Sequence, residues 1–422
     1  MLGVKMKELH ASDYIVLNAY SFALAVVANS LHPIILPVLV QEMVPQAWKA
    51  TYLGFLLFSG LVVAIVVQPV MGAISDRSTH RWGRRRPFIL VGTLLSMIFL
   101  AIIALATNYW ILLAGMLLLQ LASNTAQGPY QGLLPDLVPK ERRGTASGVK
   151  TLMEAAGVIV AAPLAGRLMG RGERFLALGL LMAILLTTML ITSLGVREEP
   201  WKGSSNRPFL ATILGTFNIE VQRCPGFIWW LINRFLFLAS LSSLQTFILY
   251  FIEDVVGLSD PATAAGNLMV VLGLGVGFII LLAGYLADRV GQKPLLVAAG
   301  LGAALGVFLL PLARSPASLL AYGGLIGISA GVFVSASWAL ATNLVPPEEA
   351  GRYLGVTNLA TAGGSAAGRL GGPIIDIFNA RRAGLGYTVL FAINGLCFLL
   401  SALAIFRVRI RRKGNRLTPP TG

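Results

Sequence analysis

The sequence predicts an all-α membrane protein with twelve transmembrane helices in two pseudo-symmetric six-helix bundles. Of its 422 residues, 56% are apolar and only 12% are charged, whereas a soluble domain carries roughly 25% charged residues. Apolar runs long enough to cross roughly 30 Å of hydrocarbon as helices recur along the whole chain. A charged loop bounded by glycines occurs once in each half, which indicates that one bundle repeats the other.

Hydropathy and polar breaks place the individual helices. We expect them at residues 14–40, 51–74, 88–107, 109–134, 146–169, 175–195, 226–252, 263–286, 294–313, 316–341, 352–376 and 385–406. This division predicts an N-terminal bundle (1–195), a cytoplasmic linker (196–225), a C-terminal bundle (226–406) and a basic cytoplasmic tail (407–422). No loop between the predicted helices is long enough to hold a soluble domain.

The formal net charge of +15 follows this topology. Most Lys and Arg residues fall in segments on the same side as the two termini, and the positive-inside rule makes that side cytoplasmic. We therefore expect a multi-pass protein of the cell membrane, plasma or inner, with both termini in the cytoplasm and its charge near membrane lipid. No basic and aromatic surface of the kind that binds nucleic acid is visible. Cys224 and Cys397 predict no disulfide framework.

The charged loops of the two halves share their order of residue types. Gly72-Ala73-Ile74-Ser75-Asp76-Arg77 leads into Gly83-Arg84-Arg85-Arg86-Pro87, and Gly284-Tyr285-Leu286-Ala287-Asp288-Arg289 leads into Gly291-Gln292-Lys293-Pro294. A second pair of loops, 136–144 and 343–351, repeats at nearly the same offset. An aspartate at such a turn can accept backbone N–H groups from a helix N-terminus, and the arginines can pair with it.

These residues resemble the major facilitator superfamily, in which a Gly-x-x-x-Asp-Arg-x-Gly-Arg-Arg loop joins the second and third helices. The lengthened loop that ends Gly83-Arg84-Arg85-Arg86-Pro87-Phe88 resembles the sucrose–proton symporters, which are kin to the glycoside–pentoside–hexuronide cation symporters. So does the fourth-helix segment Asn124-Thr125-Ala126-Gln127-Gly128-Pro129 followed by Asp136-Leu137. The resemblance implies the major facilitator fold and a carrier that works by alternating access.

The resemblance also implies that the charged loops latch the halves together in the outward-facing state. A contact that exists in only one state biases a two-state equilibrium. The predicted latch consists of Gly72, Asp76, Arg77, Gly83, Arg84, Arg85, Gly284, Asp288, Arg289, Gly291 and Lys293. The alternative for the arginine run is a solvated loop that only sets the topology.

In this family the substrate site lies near the membrane midplane, between helices 1, 4, 7 and 10. Amides in these helices are costly in hydrocarbon unless they are paired or hydrated. They offer the donors and acceptors that hydroxyl groups need, so a polar, uncharged solute such as a sugar is expected. The predicted substrate-binding residues are Asn29, His32, Gln120, Asn124, Gln127, Asn233, Arg234, Gln245 and Trp338. Each of the amides could instead make only interhelical packing bonds.

Proton coupling departs from the resembled families. The glycoside–cation symporters carry an acid where this chain has Gln68, and the sucrose group carries one where it has Gln120. The predicted coupling residues are therefore Glu154, an acid inside the fifth helix, and His32, whose imidazole can titrate near neutral pH. Lys150, one helical turn from Glu154, could hold it in a local ion pair. Arg234 is an alternative partner from the other half.

Other functional classes lack their sequence signals. The chain has no phosphate-cradling Gly-x-x-x-x-Gly-Lys-Ser/Thr motif, no Cys/His cluster with metal-ligand spacing and no nucleophile elbow. We therefore expect no enzyme activity, no metal and no cofactor. The leading hypothesis is a monomeric, proton-coupled carrier of a sugar or glycoside. The alternatives are an exporter of drugs or other small organic solutes, and a non-transporting assembly protein built on a carrier fold.

Overall fold

The computed structural model describes residues 10–196, 198, 225–344 and 350–408. Within these ranges the chain is helical and contains no β-strand. Most of the predicted linker, and the predicted tail beyond Val408, lie outside the described residues. Ten of the helices described are long and apolar enough to cross a membrane, and Pro261–Gly277 is a shorter apolar stretch.

The helices follow the predicted order. They are α1 (Ala11–Met43), α2 (Lys49–Asp76), α3 (Arg86–Ala104), α4 (Tyr109–Leu137), α5 (Arg143–Gly170), α6 (Arg174–Gly195), α7 (Pro225–Phe251), α8 (Pro261–Val290), α9 (Gln292–Leu309), α10 (Pro316–Leu344), α11 (Ala350–Arg369), the short α12 (Gly372–Asn379) and α13 (Leu385–Phe406). All except α12 are at least 18 residues long over the described part of the chain.

Each half packs its six long helices in the same order. In the first half α1 packs on α5 and α6, α2 on α4, and α3 on α4 and α6. In the second half α7 packs on α11 and α13, α8 on α10, and α9 on α10 and α13. The contacts repeat when each long helix is replaced by the one six places later. This repetition is the two-bundle architecture that the repeated loops predict.

The end of α8 differs from the prediction. The expected helix stops at residue 286, but α8 continues to Val290, so Asp288 and Arg289 lie in its last turn and not in a loop. Gly291 alone then turns the chain into α9, with a φ of +94°. Only glycine adopts this backbone conformation without strain. The corresponding loop of the first half is longer, because α2 ends at Asp76 and α3 begins at Arg86.

The eleventh predicted helix, 352–376, is broken in two. It ends at Arg369 and restarts as α12 at Gly372. A Cβ atom on Gly372 would overlap the backbone of Ala50 in α2, so this close approach of the two halves requires glycine. The break places α12 directly against the start of α2.

A π-helical turn interrupts α1 at Leu31–Ile35. Pro33, inside this turn, has no N–H group to donate to the preceding turn. Single π-helical turns inside α-helices are frequent at functional sites. Here the turn contains His32.

The two halves meet along α5 and α8 and along α2, α11 and α12. Gly166 of α5 lies against the backbone of Ala262, and Gly266 of α8 lies against the backbone of Ala162. Consecutive long helices alternate in direction, so the end of α1, the start of α2 and the end of α7 share the end of the bundle away from the termini. We call this the far end, and the opposite one the terminal end.

Candidate functional site

A cavity of about 180 Å³ lies between the two halves. Helices α1 and α2 line it from the first half, and α7, α8 and α11 line it from the second. Its lining residues are Ala28, Asn29, His32, Pro33, Leu57, Ser242, Gln245, Thr246, Met269 and Arg369. Amide, imidazole, hydroxyl and guanidinium groups from both halves therefore face one shared space.

Three predicted residues form a hydrogen-bonded chain from α1 to α4. Asn124 donates through Nδ2 to Oε1 of Gln120 at 3.1 Å and to its carbonyl oxygen at 2.8 Å. Nε2 of Gln120 lies 3.5 Å from Nε2 of His32. The side-chain oxygen of Gln120 accepts from Asn124, and its NH₂ nitrogen can only donate. Nε2 of His32 is therefore the acceptor in this contact.

The remaining predicted amides are divided between the cavity and its surroundings. Asn29 lines the cavity and donates to the carbonyl oxygen of Ala25 at 2.8 Å. Gln245 also lines it, and its side chain is exposed. Gln127 is half-buried on α4, two helical turns beyond Gln120.

Asn233 is not brought to the cavity. It is fully buried between α7 and α13, where Nδ2 donates to Oγ of Ser401 at 2.7 Å and to its carbonyl oxygen at 2.9 Å. The hydroxyl of Ser401 donates back to the carbonyl oxygen of Asn233 at 3.0 Å. This amide makes an interhelical packing bond within the second half, the alternative that the sequence left open.

Arg234 and Trp338 lie together, apart from the cavity lining. The guanidinium carbon of Arg234 is 4.8 Å from the ring centroid of Trp338 and 5.7 Å from that of Trp230. Its Nε donates to Oγ1 of Thr361 at 2.8 Å, and its Nη1 donates to Oγ of Ser337 at 3.3 Å. Stacking on aromatic faces stabilises the buried charge, and the cluster ties α7 to α10 and α11.

Glu154 lies in the arrangement that sequence analysis gave as the local alternative. Its carboxylate is 3.7 Å from Nζ of Lys150, one turn earlier on α5, and 47% of its side chain is exposed. Arg234, the other partner considered, makes its contacts within the second half.

Arg369 is the charged residue of this cavity that the site prediction missed, and the hydroxyl residues Ser242 and Thr246 were also outside the predicted set. It ends α11, and its Nη1 donates across the halves to the carbonyl oxygen of Leu57 at 2.7 Å. The available signal was an arginine inside an otherwise small and apolar helix, a pattern that marks functional sites in membranes. The site prediction favoured helices 1, 4, 7 and 10 and so passed over α11.

The predicted latch residues of the first half form a charge cluster at the terminal end. Arg85, which is 6% exposed, pairs with Asp76 and with Asp136, its Nε lying 3.0 Å from Oδ2 of Asp136. Arg84 pairs with both carboxylate oxygens of Asp136. These hydrogen bonds hold the pKa of the Arg84 guanidinium above its usual range. Arg77 forms the C-cap of α2.

Two acids outside the site prediction complete this cluster. Asp136 belongs to the second repeated loop, and Glu198 follows α6 in the predicted linker. Glu198 accepts from the backbone N–H groups of Arg85 and Arg86 at 3.0 Å, at the start of α3, where the helix dipole favours a negative charge. Gly83, with a φ of +103°, leaves the space that the Glu198 side chain occupies.

The glycines of the first latch loop act in packing. A Cβ on Gly128 of α4 would contact the backbone of α2 at Gln68 and, at 3.0 Å, the nitrogen of Gly72. The close crossing of α2 and α4 therefore requires glycine at position 128, whereas a Cβ on Gly72 would make only an ordinary contact with Gly128 at 3.9 Å.

The second latch loop makes contacts inside the second half. The guanidinium of Arg289 lies 4.6 Å from the ring centroid of Tyr285, and Nζ of Lys293 donates to the carbonyl oxygen of Val408. Gly284 faces Ser335 of α10. The side chain of Asp288 lies outside the described residues. The contacts of Arg85 with Asp76 and Asp136, of Arg289 with Tyr285 and of Lys293 with Val408 each lie within one half.

Several hydrogen bonds join the two halves at the far end. Lys49 reaches Asp254, Gln41 reaches Glu253, and Tyr250 donates to the carbonyl oxygen of Pro37. Oδ2 of Asp376 accepts from the N–H group of Thr51 at 2.7 Å. We call the contacts of Lys49, Asp254 and Asp376 across the halves the far-end seal. The structure is therefore a state in which the far end is closed.

Comparison with known proteins agrees with this architecture. The family model of the Major Facilitator Superfamily matches residues 10–369 of this chain. A sucrose transport protein of Arabidopsis thaliana is 36% identical over 129 residues, which cover 25% of this chain and 22% of that protein. One from Oryza sativa subsp. japonica is 31% identical over 129 residues, covering 25% and 24%. The matched part thus spans about a quarter of the length of these curated relatives.

Solved structures show the same fold at low sequence identity. A bacterial homolog of the human lysosomal transporter Spinster, in an inward-facing and unoccupied conformation, has a TM-score of 0.70 and 16% identity, covering 97% of this chain and 100% of that one. A nucleoside transporter has a TM-score of 0.73 and 15% identity, covering 94% and 99%.

The family match over residues 10–369 and the apolar helices define the class of this chain as a multi-pass membrane transporter and not an enzyme. The chain belongs to the major facilitator superfamily.

Proposed function

We propose that this protein is a secondary active transporter that moves a small polar solute, a sugar or glycoside, by alternating access. The observation that carries the proposal is the cavity whose polar lining comes from both halves and whose far end is closed. A solute bound there contacts both halves, so its binding can favour the rearrangement that opens the other end. The partial similarity to sucrose transport proteins supports a sugar as the solute.

In the proposed cycle, the far-end seal and the contact between the latch loops form in alternate states. With the termini in the cytoplasm, as the charge distribution predicts, the far end faces outward and this state is inward-facing. In the outward-facing state the seal opens and the latch loops at the terminal end come together. The cluster around Asp136 then positions the first latch loop for that contact. We further propose that the protein lies in the cell membrane, with a cytoplasmic linker between its two bundles, and that it acts as a monomer.

Proton coupling is proposed to involve His32 or Glu154. His32 faces the cavity and contacts Gln120, so its protonation would change the hydrogen bonds offered to the solute. Glu154 is half-exposed beside Lys150, and neutralising it would release that cation. The two mechanisms differ in location, since only His32 lines the cavity described above.

An exporter of drugs or other small organic solutes fits the site less well. That function would favour an apolar cavity with Glu154 buried as a single charge, whereas the cavity is polar and Glu154 is half-exposed in an ion pair. A non-transporting assembly protein would have little use for paired latch loops and a far-end seal.

Transport by the purified protein in proteoliposomes tests the proposal. Labelled sucrose, maltose and monosaccharides are offered with and without a pH gradient, acidic on the outside. We expect uptake of at least one sugar, accumulation only with the gradient, and loss of uptake in His32→Ala combined with Gln245→Ala. Gln46→Ala, at an exposed position outside this cavity, serves as the control. Absence of uptake and exchange for every sugar would refute the proposed solute class.

A further inference from the structure

Arg369 presents an unoccupied hydrogen-bonding edge in the cavity between the halves. Its Nη1 is held by the carbonyl oxygen of Leu57 on the opposite half at 2.7 Å. Among the described residues this is the one acceptor that Arg369 reaches, so its Nε and Nη2 groups make no hydrogen bond to that part of the protein. The two N–H groups of such an edge are parallel and match the two oxygens of a carboxylate.

The charge of Arg369 also lacks an acidic partner in the described ranges. The ion pairs within 4.0 Å there involve other residues. The described lining of the cavity contains no Asp or Glu. A cation inside a membrane protein is costly unless it is paired or hydrated, and such residues mark substrate pathways.

We propose that Arg369 binds a carboxylate on the transported solute, so that the substrate is a sugar acid and not a neutral sugar. This inference rests on the proposed transport function and refines its substrate class. The hydroxyl groups of the solute are then bound by the amides and hydroxyls around it, namely Asn29, Gln245, Ser242 and Thr246. A neutral sugar would leave the guanidinium charge uncompensated.

The position of Arg369 links the bound anion to both halves. The guanidinium belongs to α11 of the second half and donates to α2 of the first. A carboxylate on its other edge therefore binds beside an existing contact between the halves. Loss of the positive charge would weaken binding of the acid, while neutral sugars would lose no charge-assisted hydrogen bond.

Competition between matched sugars tests the inference on the wild-type protein. Purified full-length protein in proteoliposomes is offered labelled gluconate or labelled glucose, and unlabelled maltobionate or maltose is added as the competitor. We expect each acid to bind about tenfold or more tightly than its neutral counterpart, because hydrogen bonds to a charged group are the stronger kind. Equal or better transport of the neutral sugars would overturn the inference and leave the proposed transport function intact. No transport of any sugar or acid would overturn both.

Variants then assign the effect to Arg369. Arg369→Gln should lower the affinity for gluconate and maltobionate about tenfold and leave that for maltose unchanged. Arg369→Lys should retain part of the affinity for the acids, because lysine keeps the positive charge but lacks the planar guanidinium group. Arg381→Gln, at an exposed position outside the cavity, is the matched control and should behave as wild type.

Three further outcomes bear on the role of Arg369. If Arg369→Gln does not elute as a folded protein, the lysine variant and the wild-type competition carry the test. Gluconate affinity equal to wild type in Arg369→Lys and in a folded Arg369→Gln would overturn the assignment. Competition by glucose 6-phosphate but not by gluconate would overturn the choice of a carboxylate over a phosphate.

Discussion

Nζ of Lys49, at the start of α2, lies 2.8 Å from Oδ1 of Asp254, which follows α7 in the other half. Lys49 is almost fully buried, with 6% of its side chain exposed. The hydroxyl of Tyr387 donates to the second oxygen of Asp254, so the carboxylate is held from two directions. Because its partners belong to different halves, we expect this ion pair to break when the far end opens.

Removing this ion pair should shift the protein toward the state with an open far end. Lys49→Gln should weaken the closed state by about 1 kcal/mol, because Asp254, the charge left behind, is 29% exposed and can be hydrated. The measurement is labelling of Ala262→Cys by a membrane-impermeant maleimide in a Cys224→Ser, Cys397→Ser background, since Ala262 is buried between the halves. Labelling should be about five times faster.

A matched ion pair on the same face controls that experiment. Arg174 and Glu42 lie 3.6 Å apart and belong to one half. Arg174→Gln should therefore leave the labelling rate unchanged. Equal acceleration by both variants would show that general loosening, and not the seal, was measured.

Gly372 should tolerate no side chain while the far end is closed. Gly372→Ala places a Cβ against the backbone of Ala50, and overpacking of this kind typically costs about 1 to 3 kcal/mol. We expect faster Ala262→Cys labelling and slower transport than in wild type. Gly179→Ala, whose added Cβ meets nothing within 4 Å, is the control. Wild-type labelling in Gly372→Ala would contradict the closeness of this contact.

Asp76 and Asp136 should differ in their contribution to stability. Asp76 is 54% exposed, whereas Asp136 is 21% exposed and pairs with both Arg84 and Arg85. Asp136→Asn leaves the nearly buried Arg85 with a weakened partner and should cost about 3 kcal/mol of folding stability. Asp76→Ala should express near normally and slow cycling. Thermal unfolding in detergent and transport rates measure the two effects, and normal transport by Asp76→Ala would refute its place in the latch.

Separate substitutions should distinguish the two coupling candidates. If Glu154 couples protons, Glu154→Gln abolishes uphill uptake but spares exchange down a gradient, because the neutral side chain cannot release a proton. His32→Gln has the same effect if His32 is the coupling group. Accumulation and exchange in proteoliposomes measure both. Lys150→Gln is the control for loss of the local ion pair, and unchanged accumulation in Glu154→Gln excludes that residue.

Helix order, helix number and the duplication were predictable from the sequence because they depend on local properties. The length of an apolar segment decides whether it can span the membrane, and the repetition of the two charged loops can be read directly from the sequence. The break after Arg369 was not predictable, because it depends on the backbone of α2, which is distant in sequence.

The candidate site was predictable only in part, for the same reason. Sequence identified His32, Gln120 and Asn124, and the structure brings them into one hydrogen-bonded chain. It also selected Asn233 by residue type alone, and only the packing of α7 on α13 shows that this amide binds Ser401.

The sequence by itself determined that this chain forms a duplicated bundle of membrane-spanning helices, because hydropathy and repetition are properties of the order of residues alone. Only the tertiary structure decided which polar groups face the shared cavity. A helix presents several faces, and the rotation of each helix is set by its neighbours. Arg369 shows the consequence, since its contact with Leu57 of the opposite half exists only in three dimensions.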